Sequence, residues 1–470
     1  MIIMKFGGTS VENAEAIARA ADIVFTRRRL KPLVVVSACA GVTNDLIQCV
    51  RLAAEGRLKA SIRLADKLKR RHFDIARGLD LDVSRPGHRA YLQGQFRYLN
   101  RRLEVIERRR RASHAELDAI LAVGELSSSF LLAHRLLRVG TDVSLVDARK
   151  ILRTDSAHGS ASPLIPRTRR LAQKLVAPSL RNGTVVVTQG FIGSTINGRT
   201  TTLGRGGSDF SASIFGAALG AREIQIWTDV DGIFSADPLL VPAAKSIPLL
   251  THAEASELAR FGAKVLHPRT IEPAVERSIP FQILNSSNPT HPGTRVVSSI
   301  ELNRENRKEA SVNRPVLSIA LKEDVGLAIT RTGLSTIETI KNLSSDSPAD
   351  KAAWNLEHVS SSHDYLLILF SPSGADMEQI AKPDGGRPRV LRNKSLLSLI
   401  GNAERNSGPV LESALRFLSA GKISVDYFWH EAPGGTVSLV VDRALAREAL
   451  GILHAAYFPH LVINSRLMRA

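Results

Sequence analysis

In the stretch KFGGTSV at residues 5–11, two glycines join an apolar run to a helical pattern. The apolar run at 2–6 predicts a strand, and the periodic run after Asn13 predicts a helix. Asn13 or Ser10 can serve as the N-cap of that helix. The stretch therefore predicts a strand, a sharp turn and a helix in immediate succession.

The turn of this stretch has the composition of a phosphate-binding site. Gly7 and Gly8 permit positive φ angles and let backbone N–H groups approach an anion closely. Lys5 precedes the glycines, whereas the lysine of a P-loop follows them. We expect Lys5 to reach across the turn as a point charge, although an ordinary turn with a surface lysine fits KFGG alone equally well.

The first part of the chain alternates strand-like and helical runs. Nearly continuous apolar strands between helices indicate an α/β fold with a mostly parallel sheet sandwiched by helices. The candidate strands are IIMKF (2–6), LVVVSA (33–38), VSLVDA (143–148), TVVVTQGFIG (184–193) and EIQIWT (223–228). We place this domain at residues 1–297.

The sequence changes character after a charged segment at 298–315, which we interpret as a linker. Beyond it, short strands such as VLSIAL (316–321) and VSLVVD (437–442) alternate with single helices. This alternation is typical of small antiparallel α+β units. We expect two of them, at residues 316–390 and 391–470.

The bulk composition of the 470-residue chain indicates a globular cytoplasmic protein. No apolar run is long enough to cross a membrane, and the N-terminus lacks the pattern of a signal peptide. The two cysteines, Cys39 and Cys49, form neither a disulfide framework nor a zinc site. In Cys39 we expect a small space-filling residue more than a redox group.

The net charge of +18 is concentrated in one stretch. Residues 51–111 contain 18 Lys or Arg and 7 Asp or Glu, and Phe96, Leu99, Leu103 and Ile106 there share one helical face. Few aromatic residues are interleaved for base stacking. The stretch therefore favours two helices with solvated basic faces over a nucleic-acid site, and an anionic partner is the alternative.

Three later stretches carry chemistry. In TTLGRGGSDFSASIFGAALGA (201–221), three glycines surround Arg205, and Ser208 with Asp209 opens a second helix. Two glycine-rich helix N-termini in one sheet domain indicate a ligand with several anionic groups. The other two stretches are weak evidence for a binding site when each is taken alone. They are IWTDVDGIFSADP (226–238) and FGAKVLHPRT (261–270).

Together these stretches resemble the aspartate kinases (aspartokinases) of the amino-acid kinase superfamily. The similarity covers KFGGTSV (5–11), VVSACAGVTNDL (35–46), VGELSS (123–128), TQGFIG (188–193), TTTLGRGGSD (200–209), WTDVDGIFSADP (227–238) and FGAKVLHP (261–268). Among these kinases, the single-function lysine-sensitive branch is the most similar in the sequence of these motifs. We expect no homoserine dehydrogenase extension.

The resemblance implies transfer of the ATP γ-phosphate to the β-carboxylate of L-aspartate, the first step of lysine, threonine and methionine biosynthesis. A carboxylate is ionised at pH 7, so the reaction needs no general base. It needs cations and backbone donors that hold two anions together and neutralise the transferring group. Mg²⁺ is implied as the partner of ATP, held by phosphate oxygens and water, so we name no protein ligand for it.

The resemblance also implies residue roles. Catalytic roles fall to Lys5 and Asp209, with Asp209 orienting Lys5. The substrate-binding residues implied are Ser37, Thr43, Glu125, Phe191, Arg205 and Ser208, with Arg205 on the α-carboxylate and Glu125 on the ammonium. The ATP-binding residues implied are Lys5, Gly7, Gly8, Thr228, Asp229, Phe234 and Lys264.

One position departs from the family pattern. Relatives usually read T-D-P-R after the aspartate-rich turn, and their arginine meets the nucleotide phosphates. Here the stretch is SADPLL, with Leu239 in that place. We therefore expect weaker ATP binding than an arginine would give.

The C-terminal part resembles the paired ACT regulatory modules of these kinases, which implies a homodimer. In relatives, one ACT unit can be inserted into the sequence of the other. The boundary between the two units at residue 390 is therefore not fixed by the sequence. The lysine-binding S-V-D strand of relatives is absent from 330–370, while KISVDYF stands at 422–428 in the second unit. We expect little lysine inhibition, and the alternative is that Glu357 or His358 takes over.

Two other functions remain open on the sequence. A kinase-like amino-acid sensor without catalysis is favoured only by Leu239, and Lys5, Arg205 and Lys264 speak against it. A nucleic-acid-binding protein is favoured only by charge. Of the three functions, an aspartate kinase explains the largest number of the motif residues named above.

Overall fold

The computed structural model describes residues 1–81, 86–260, 268–298, 315–331, 356–361, 365–370, 389–401, 408–431 and 435–459. The chain forms two compact units. The first comprises Met1–Ile233, Ser246–Ser256 and Lys264–Lys308, and the second comprises Phe234–Lys245, Glu257–Ala263 and Glu309–Ala470. The sequence predicted one continuous domain over 1–297. In the structure, two short segments of that range, Phe234–Lys245 and Glu257–Ala263, cluster with the C-terminal part instead.

The first unit is built on an eight-stranded sheet in the order β3-β4-β2-β1-β7-β9-β10-β8. All neighbours in it are parallel except β9 and β10, so the predicted mostly parallel α/β fold is confirmed. Its strands are β1 (Ile2–Phe6), β2 (Pro32–Val36), β3 (Val143–Leu145), β4 (Val185–Gln189), β7 (Ile224–Thr228), β8 (Leu249–Thr251), β9 (Phe281–Asn285) and β10 (Thr294–Val297). A separate antiparallel hairpin consists of β5 (Ile192–Ser194) and β6 (Thr200–Thr202).

Helices follow the strands, as the alternation predicted. They are α1 (Ala14–Arg27), α2 (Val42–Ala54), α3 (Leu58–Gly78), α4 (Pro86–Arg109), α5 (His114–Arg138), α6 (Ile165–Leu175), α7 (Ala177–Arg181), α8 (Gly207–Leu219), α9 (His252–Arg260) and α10 (Pro268–Val275). The N-cap of α1 is Asn13, whose side chain accepts a hydrogen bond from the N–H of Ala16. Of the two candidate caps, Asn13 is therefore the one used.

The basic stretch folds as the predicted pair of helices, α3 and α4. Its apolar residues Phe96, Leu99, Leu103 and Ile106 are buried in the core of the first unit. Burial of one face explains why the arginines of these helices collect on the other.

Helix α5 runs through the core of the first unit. It is long and apolar enough to cross a membrane by length and composition, yet 83% of its most apolar window is buried in the protein. Two of its buried residues, Asp118 and Glu125, are acidic. A buried carboxylate requires a partner or a shifted pKa, so both positions are functional candidates.

The second unit contains a six-stranded antiparallel sheet in the order β12-β13-β11-β14-β16-β15. Its elements are β11 (Val316–Arg331), β12 (Leu356–Ser361), β13 (Tyr365–Phe370), β14 (Arg389–Gly401), β15 (Val425–Glu431), β16 (Thr436–Asp442), α11 (Gly408–Ala420) and α12 (Ala446–Tyr457). The expected antiparallel α+β character is present. The two predicted modules share this one sheet, because β11 and β14 pair at its centre.

The segment 234–245 packs within the second unit. Ala236, Val241 and Ala244 lie in an apolar cluster with residues of β11, β14 and both helices of that unit. The N–H of Ile319 donates to the carbonyl of Ser235 across 2.8 Å. These contacts explain why a segment preceding the predicted boundary belongs to the C-terminal unit.

Candidate active site

The site lies where β1, β2 and β7 end, at the carboxyl edge of the parallel sheet. Lys5 pairs in register with Val35 of β2 and Ile226 of β7. Ligands bind to open α/β sheets at this edge. Lys5 is only 8% exposed, so its ammonium group is held near the sheet and not in bulk water.

An ion pair fixes the position of Lys5. Its Nζ lies 2.7 Å from Oδ1 of Asp209, which occupies the first turn of α8. A carboxylate in a first helical turn is stabilised by the helix dipole. The geometry fits the predicted role of Asp209 as the residue that orients Lys5.

The glycine pair after Lys5 does not adopt left-handed backbone. Neither Gly7 nor Gly8 has a positive φ, and φ of Gly8 is −59°. A Cβ on Gly8 would lie 3.0 Å from the carbonyl oxygen of Ala38, and one on Gly7 would lie 3.5 Å from Nζ of Lys5. The positive φ that these glycines permit is therefore not used. The close approach of Ala38 favours glycine at position 8, whereas a Cβ at position 7 would make an ordinary van der Waals contact.

The second glycine-rich loop does use left-handed backbone. Gly204 has φ of +77°, and Gly206, the N-cap residue of α8, has φ of +68°. Arg205 stands between them with an exposed side chain. The glycines of this loop line the cavity described below, whereas the predicted substrate-binding residue Arg205 is not among the residues of its wall.

Phe191 connects the β5 segment to this loop. It has φ of +65°, which is rare for a bulky residue. Its N–H donates to Oγ of Ser211 over 2.9 Å, and a Cβ on Gly207 would approach its ring to 2.7 Å. Such strained backbone is maintained only where its surroundings fix it, and it is concentrated at functional sites.

Glu125 is the least satisfied charged group of the site. It is 3% exposed, and its Oε1 accepts a hydrogen bond of 3.2 Å from the N–H of Ala38. Within the described part of the chain, its Oε2 has no hydrogen-bond partner. Burial raises the pKa of this carboxyl to about 8. A cationic ligand group would satisfy the free oxygen and favour the ionised form.

These groups surround one cavity of about 340 Å³. Most of the predicted catalytic and substrate-binding residues lie in its wall, and these are Lys5, Ser37, Thr43, Glu125, Phe191, Ser208 and Asp209. Gly8 also lines it, as does Cys39, whose thiol pKa is raised to about 12 by burial. A thiol with that pKa stays protonated at pH 7, which agrees with the space-filling interpretation of Cys39.

A second group of polar residues gathers at the ends of β7 and β9. Thr228 pairs with Asn285, and Thr228 Oγ1 lies 3.1 Å from Oδ1 of the exposed Asp229. Asp231 accepts hydrogen bonds from the side-chain amides of Asn285 and Asn288 over 2.9 and 3.2 Å. The sequence analysis did not predict a role for Asp231, Asn285 and Asn288. Their positions at or just after the ends of two strands could have indicated one.

Two predicted nucleotide-binding residues are not placed in this group. Phe234 belongs to the second unit and packs against its apolar cluster. Lys264 lies outside the described residues. The predicted nucleotide contacts of both side chains therefore stay predictions.

Comparison with known proteins agrees with this arrangement. The model of the amino acid kinase family matches residues 1–285. Aspartokinase 3, chloroplastic, of Arabidopsis thaliana is 31% identical over 97% of this chain and 81% of its own length. The chain belongs to the aspartokinase family. The resemblance found in the sequence is thereby confirmed.

Two further matches, both from Escherichia coli, support the assignment. Lysine-sensitive aspartokinase 3 of Escherichia coli is 40% identical over 64% of this chain and 65% of its own length. The crystal structure of E. coli aspartokinase III in complex with aspartate and ADP matches with a TM-score of 0.78 and 29% identity. That match covers 97% of this chain and 100% of the other, so the likeness to this aspartokinase extends through both units.

The aspartokinase site has a supporting network that sequence analysis missed. Oδ2 of the buried Asp118 lies 2.8 Å from Nδ1 of His158 and accepts a hydrogen bond of 3.1 Å from the N–H of Gly159. Its Oδ1 accepts from Thr202 over 2.6 Å. A Cβ on Gly204 would lie 3.2 Å from the carbonyl of Gly159. Asp118 therefore ties α5 to both chain segments that border the Arg205 loop.

Proposed function

We propose that this aspartokinase transfers the γ-phosphoryl group of ATP to the β-carboxylate of L-aspartate, giving 4-phospho-L-aspartate and ADP. The observation that carries the proposal is the cavity at the end of β1, in which a buried cation, Lys5, and a buried carboxyl group, Glu125, line one small space. The substrate is itself both an anion and a cation. Membership in the aspartokinase family supports the same reaction.

In this proposal, Glu125 binds the α-ammonium of aspartate through its free Oε2. A buried ionised carboxylate is costly without a partner, and the substrate ammonium is such a partner. The pKa of about 8 means that most of the empty enzyme carries a protonated Glu125 at pH 7. Substrate binding then expels that proton and creates a charge-assisted contact.

Arg205 binds the α-carboxylate in this scheme. A guanidinium group matches a carboxylate with two parallel hydrogen bonds. Its exposed side chain stands between Gly204 and Gly206, both of which line the cavity. With the two α-substituents held at separate points, the β-carboxylate is left as the reacting group.

Lys5 stabilises the transferring phosphoryl group. The attacking carboxylate is already ionised, so the barrier comes from bringing anions together. An ammonium group placed where charge develops lowers that barrier. Asp209 keeps Lys5 oriented at 2.7 Å. The N–H of Gly7 already donates to the carbonyl of Trp227 over 3.0 Å, so the N–H of Gly8 is the donor we assign to phosphate oxygens.

Mg²⁺ would enter with the nucleotide. No group of three or more His, Cys, Asp or Glu side chains that could hold a metal occurs among the residues described by the structure. Mg²⁺ commonly keeps several waters and binds through one or two carboxylates and substrate phosphates, and the exposed Asp229 and the neighbouring Asp231 are carboxylates of that kind. When bound, the ion would neutralise phosphate charge.

We also propose a homodimer that forms through the ACT-like part of the second unit. β15 is an edge strand of the six-stranded sheet, and Phe428 on it is 52% exposed. An exposed edge strand with a large apolar side chain is a site for pairing with a second chain. Sedimentation of the native protein and of Phe428→Asp tests this, since the substitution should give monomers. The expected cytoplasmic location stays a prediction.

The experiment that tests the function is a hydroxamate assay with L-aspartate and MgATP. Acyl phosphates react with hydroxylamine, so an active enzyme gives aspartyl hydroxamate in proportion to ADP. Glutamate and other dicarboxylates serve as controls for substrate choice. A protein that binds aspartate without forming hydroxamate would instead be a kinase-like sensor, the alternative that the missing arginine at Leu239 favours.

A further inference from the structure

A second cavity in the first unit has no part in the proposed reaction. It measures about 660 Å³ and lies at the end of α4, the start of α5 and the turn between β5 and β6. It shares no lining residue with the cavity around Lys5. Its volume is within the usual range of small-molecule sites, about 300–1,000 Å³.

The walls of this cavity are strongly cationic. Four arginines line it: Arg102, Arg109, Arg111 and Arg199. Glu116 is its sole carboxylate, and this side chain is already engaged in the capping box of α5 with Ser113 and in an ion pair of 3.2 Å with Arg109. Most of the positive charge is therefore uncompensated by the protein itself.

Two of the four guanidinium groups are available to a ligand. Among the residues that the structure describes, Arg111 and Arg199 have no hydrogen-bond or ion-pair partner for their side chains. Arg102 is held in place by Tyr98, whose hydroxyl accepts a hydrogen bond of 3.2 Å from its Nε. A fixed arginine beside two free ones forms a set of donors that converges on one concave space.

We propose that this cavity is a binding site for a small polyphosphate, such as the phosphate chain of a nucleotide. Guanidinium groups bind phosphate oxygens bidentately, and several of them together match a chain of phosphates better than a single carboxylate. A small ligand is favoured over nucleic acid, because nucleic acid is bound along a basic groove with several stacking aromatics. Tyr98 is the one aromatic residue in this wall.

Isothermal titration with inorganic tripolyphosphate in magnesium-free buffer tests the proposal. Four proteins are compared: the native chain, Arg111→Ala/Arg199→Ala, Arg169→Ala/Arg170→Ala and Lys5→Ala. Arg169 and Arg170 are exposed on α6, outside the cavity, so their removal changes the net charge equally. The variant Lys5→Ala distinguishes binding at this cavity from binding at the cavity around Lys5.

We expect the cavity variant to lose affinity at least tenfold, the size of two lost charge-assisted contacts, with the α6 variant and Lys5→Ala close to native. Aspartokinase activity of the cavity variant without tripolyphosphate should be unchanged. Arg199→Glu should abolish the same binding. Because Arg199 lies on an exposed turn, this single substitution should not disturb folding, so it tests the proposal even if the double variant folds poorly.

Equal binding by the native chain and the cavity variant would overturn the proposal, as would loss of all binding in Lys5→Ala. Tight binding of a single-stranded oligonucleotide, with no binding of tripolyphosphate, would also overturn it in favour of nucleic acid. These results are independent of whether the hydroxamate assay succeeds.

Discussion

The two halves of the proposed catalytic site, one for aspartate and one for the nucleotide, differ in how their charges are held. On the aspartate side, Lys5 and Glu125 are buried, and an ion pair fixes Lys5. On the nucleotide side, Asp229 is exposed, and Asp231 is held by side-chain amides. Buried charges have large energies that depend on their partners, whereas exposed charges are screened. Substitutions on the aspartate side should therefore change the kinetics more than substitutions on the nucleotide side.

The largest effect is expected for Lys5→Ala. Loss of a positioned cation should lower kcat by about 100-fold or more, the scale of lost electrostatic stabilisation. The affinity for aspartate, measured by titration, should change little. Lys59→Ala, on the exposed face of α3, is the matched control and should behave like the native enzyme. Near-normal kcat in Lys5→Ala would remove Lys5 from the mechanism.

A proton should leave Glu125 when aspartate binds. Because the pKa of its carboxyl in the empty cavity is about 8, close to one proton is released per aspartate at pH 7. Affinity should rise up to about tenfold per pH unit below pH 8 and then level off. Titrations in two buffers of different ionisation enthalpy measure the release.

The substitution Glu125→Gln isolates this effect. It should weaken aspartate binding about tenfold or more through loss of a charge-assisted contact, and it should abolish the proton release. The raised pKa also makes the ionised carboxyl destabilising in the empty enzyme. Its contribution to stability is complete below about pH 4.5 and is lost as the pH rises through about 8, so unfolding of the ligand-free variant should depend less on pH in that range.

Asp118→Asn should give an intermediate effect. It weakens three contacts that hold the segments beside Gly204, at a cost in stability of about 1–3 kcal/mol. We expect KM for aspartate to rise more than KM for ATP, because the glycines of the Arg205 loop line the cavity assigned to aspartate. His158→Ala should shift KM in the same direction by less. An equal rise of both KM values would indicate general loosening of the fold.

A smaller effect is expected for Leu239→Arg. Leu239 is 88% exposed, so a new charge there is screened and should tighten KM for ATP by at most about tenfold. Leu239→Gln controls for removal of the leucine. Unchanged or weaker ATP binding in the arginine variant would mean that this position does not face the phosphates.

The smallest expected effect is that of added L-lysine. The S-V-D aspartate in the second unit, Asp426, already forms an ion pair of 2.9 Å with Lys394 and is thereby neutralised. The corresponding strand of the first predicted ACT module reads differently. We expect little loss of activity with lysine and little heat in titration. Sub-millimolar binding together with matching inhibition would contradict this.

The parts of the site that sequence predicted are those with a local signal. A lysine at a strand end and glycines before a helix are recognisable within ten residues, and both lie where expected. Glu125 was assigned through family resemblance, and its unpaired oxygen now gives that assignment a physical reason.

The parts that sequence missed depend on distant contacts. Asp118, His158 and Thr202 come together from three segments, and nothing in the neighbourhood of each reveals the others. The glycine at position 8 is favoured by the approach of Ala38, which only the folded chain brings near. The packing of 234–245 is likewise set by residues that follow it by 70 or more positions.

The pairing of β11 with β14 at the centre of one sheet has a consequence for how the second unit folds. Each strand is separated from its partner by about 60 residues of chain, so their joining is a late, high-contact-order event. Without this pairing both strands would carry unpaired edges, which favour aggregation. We therefore expect that a fragment ending at 390 is unstable and that neither half of this sheet folds as an independent module.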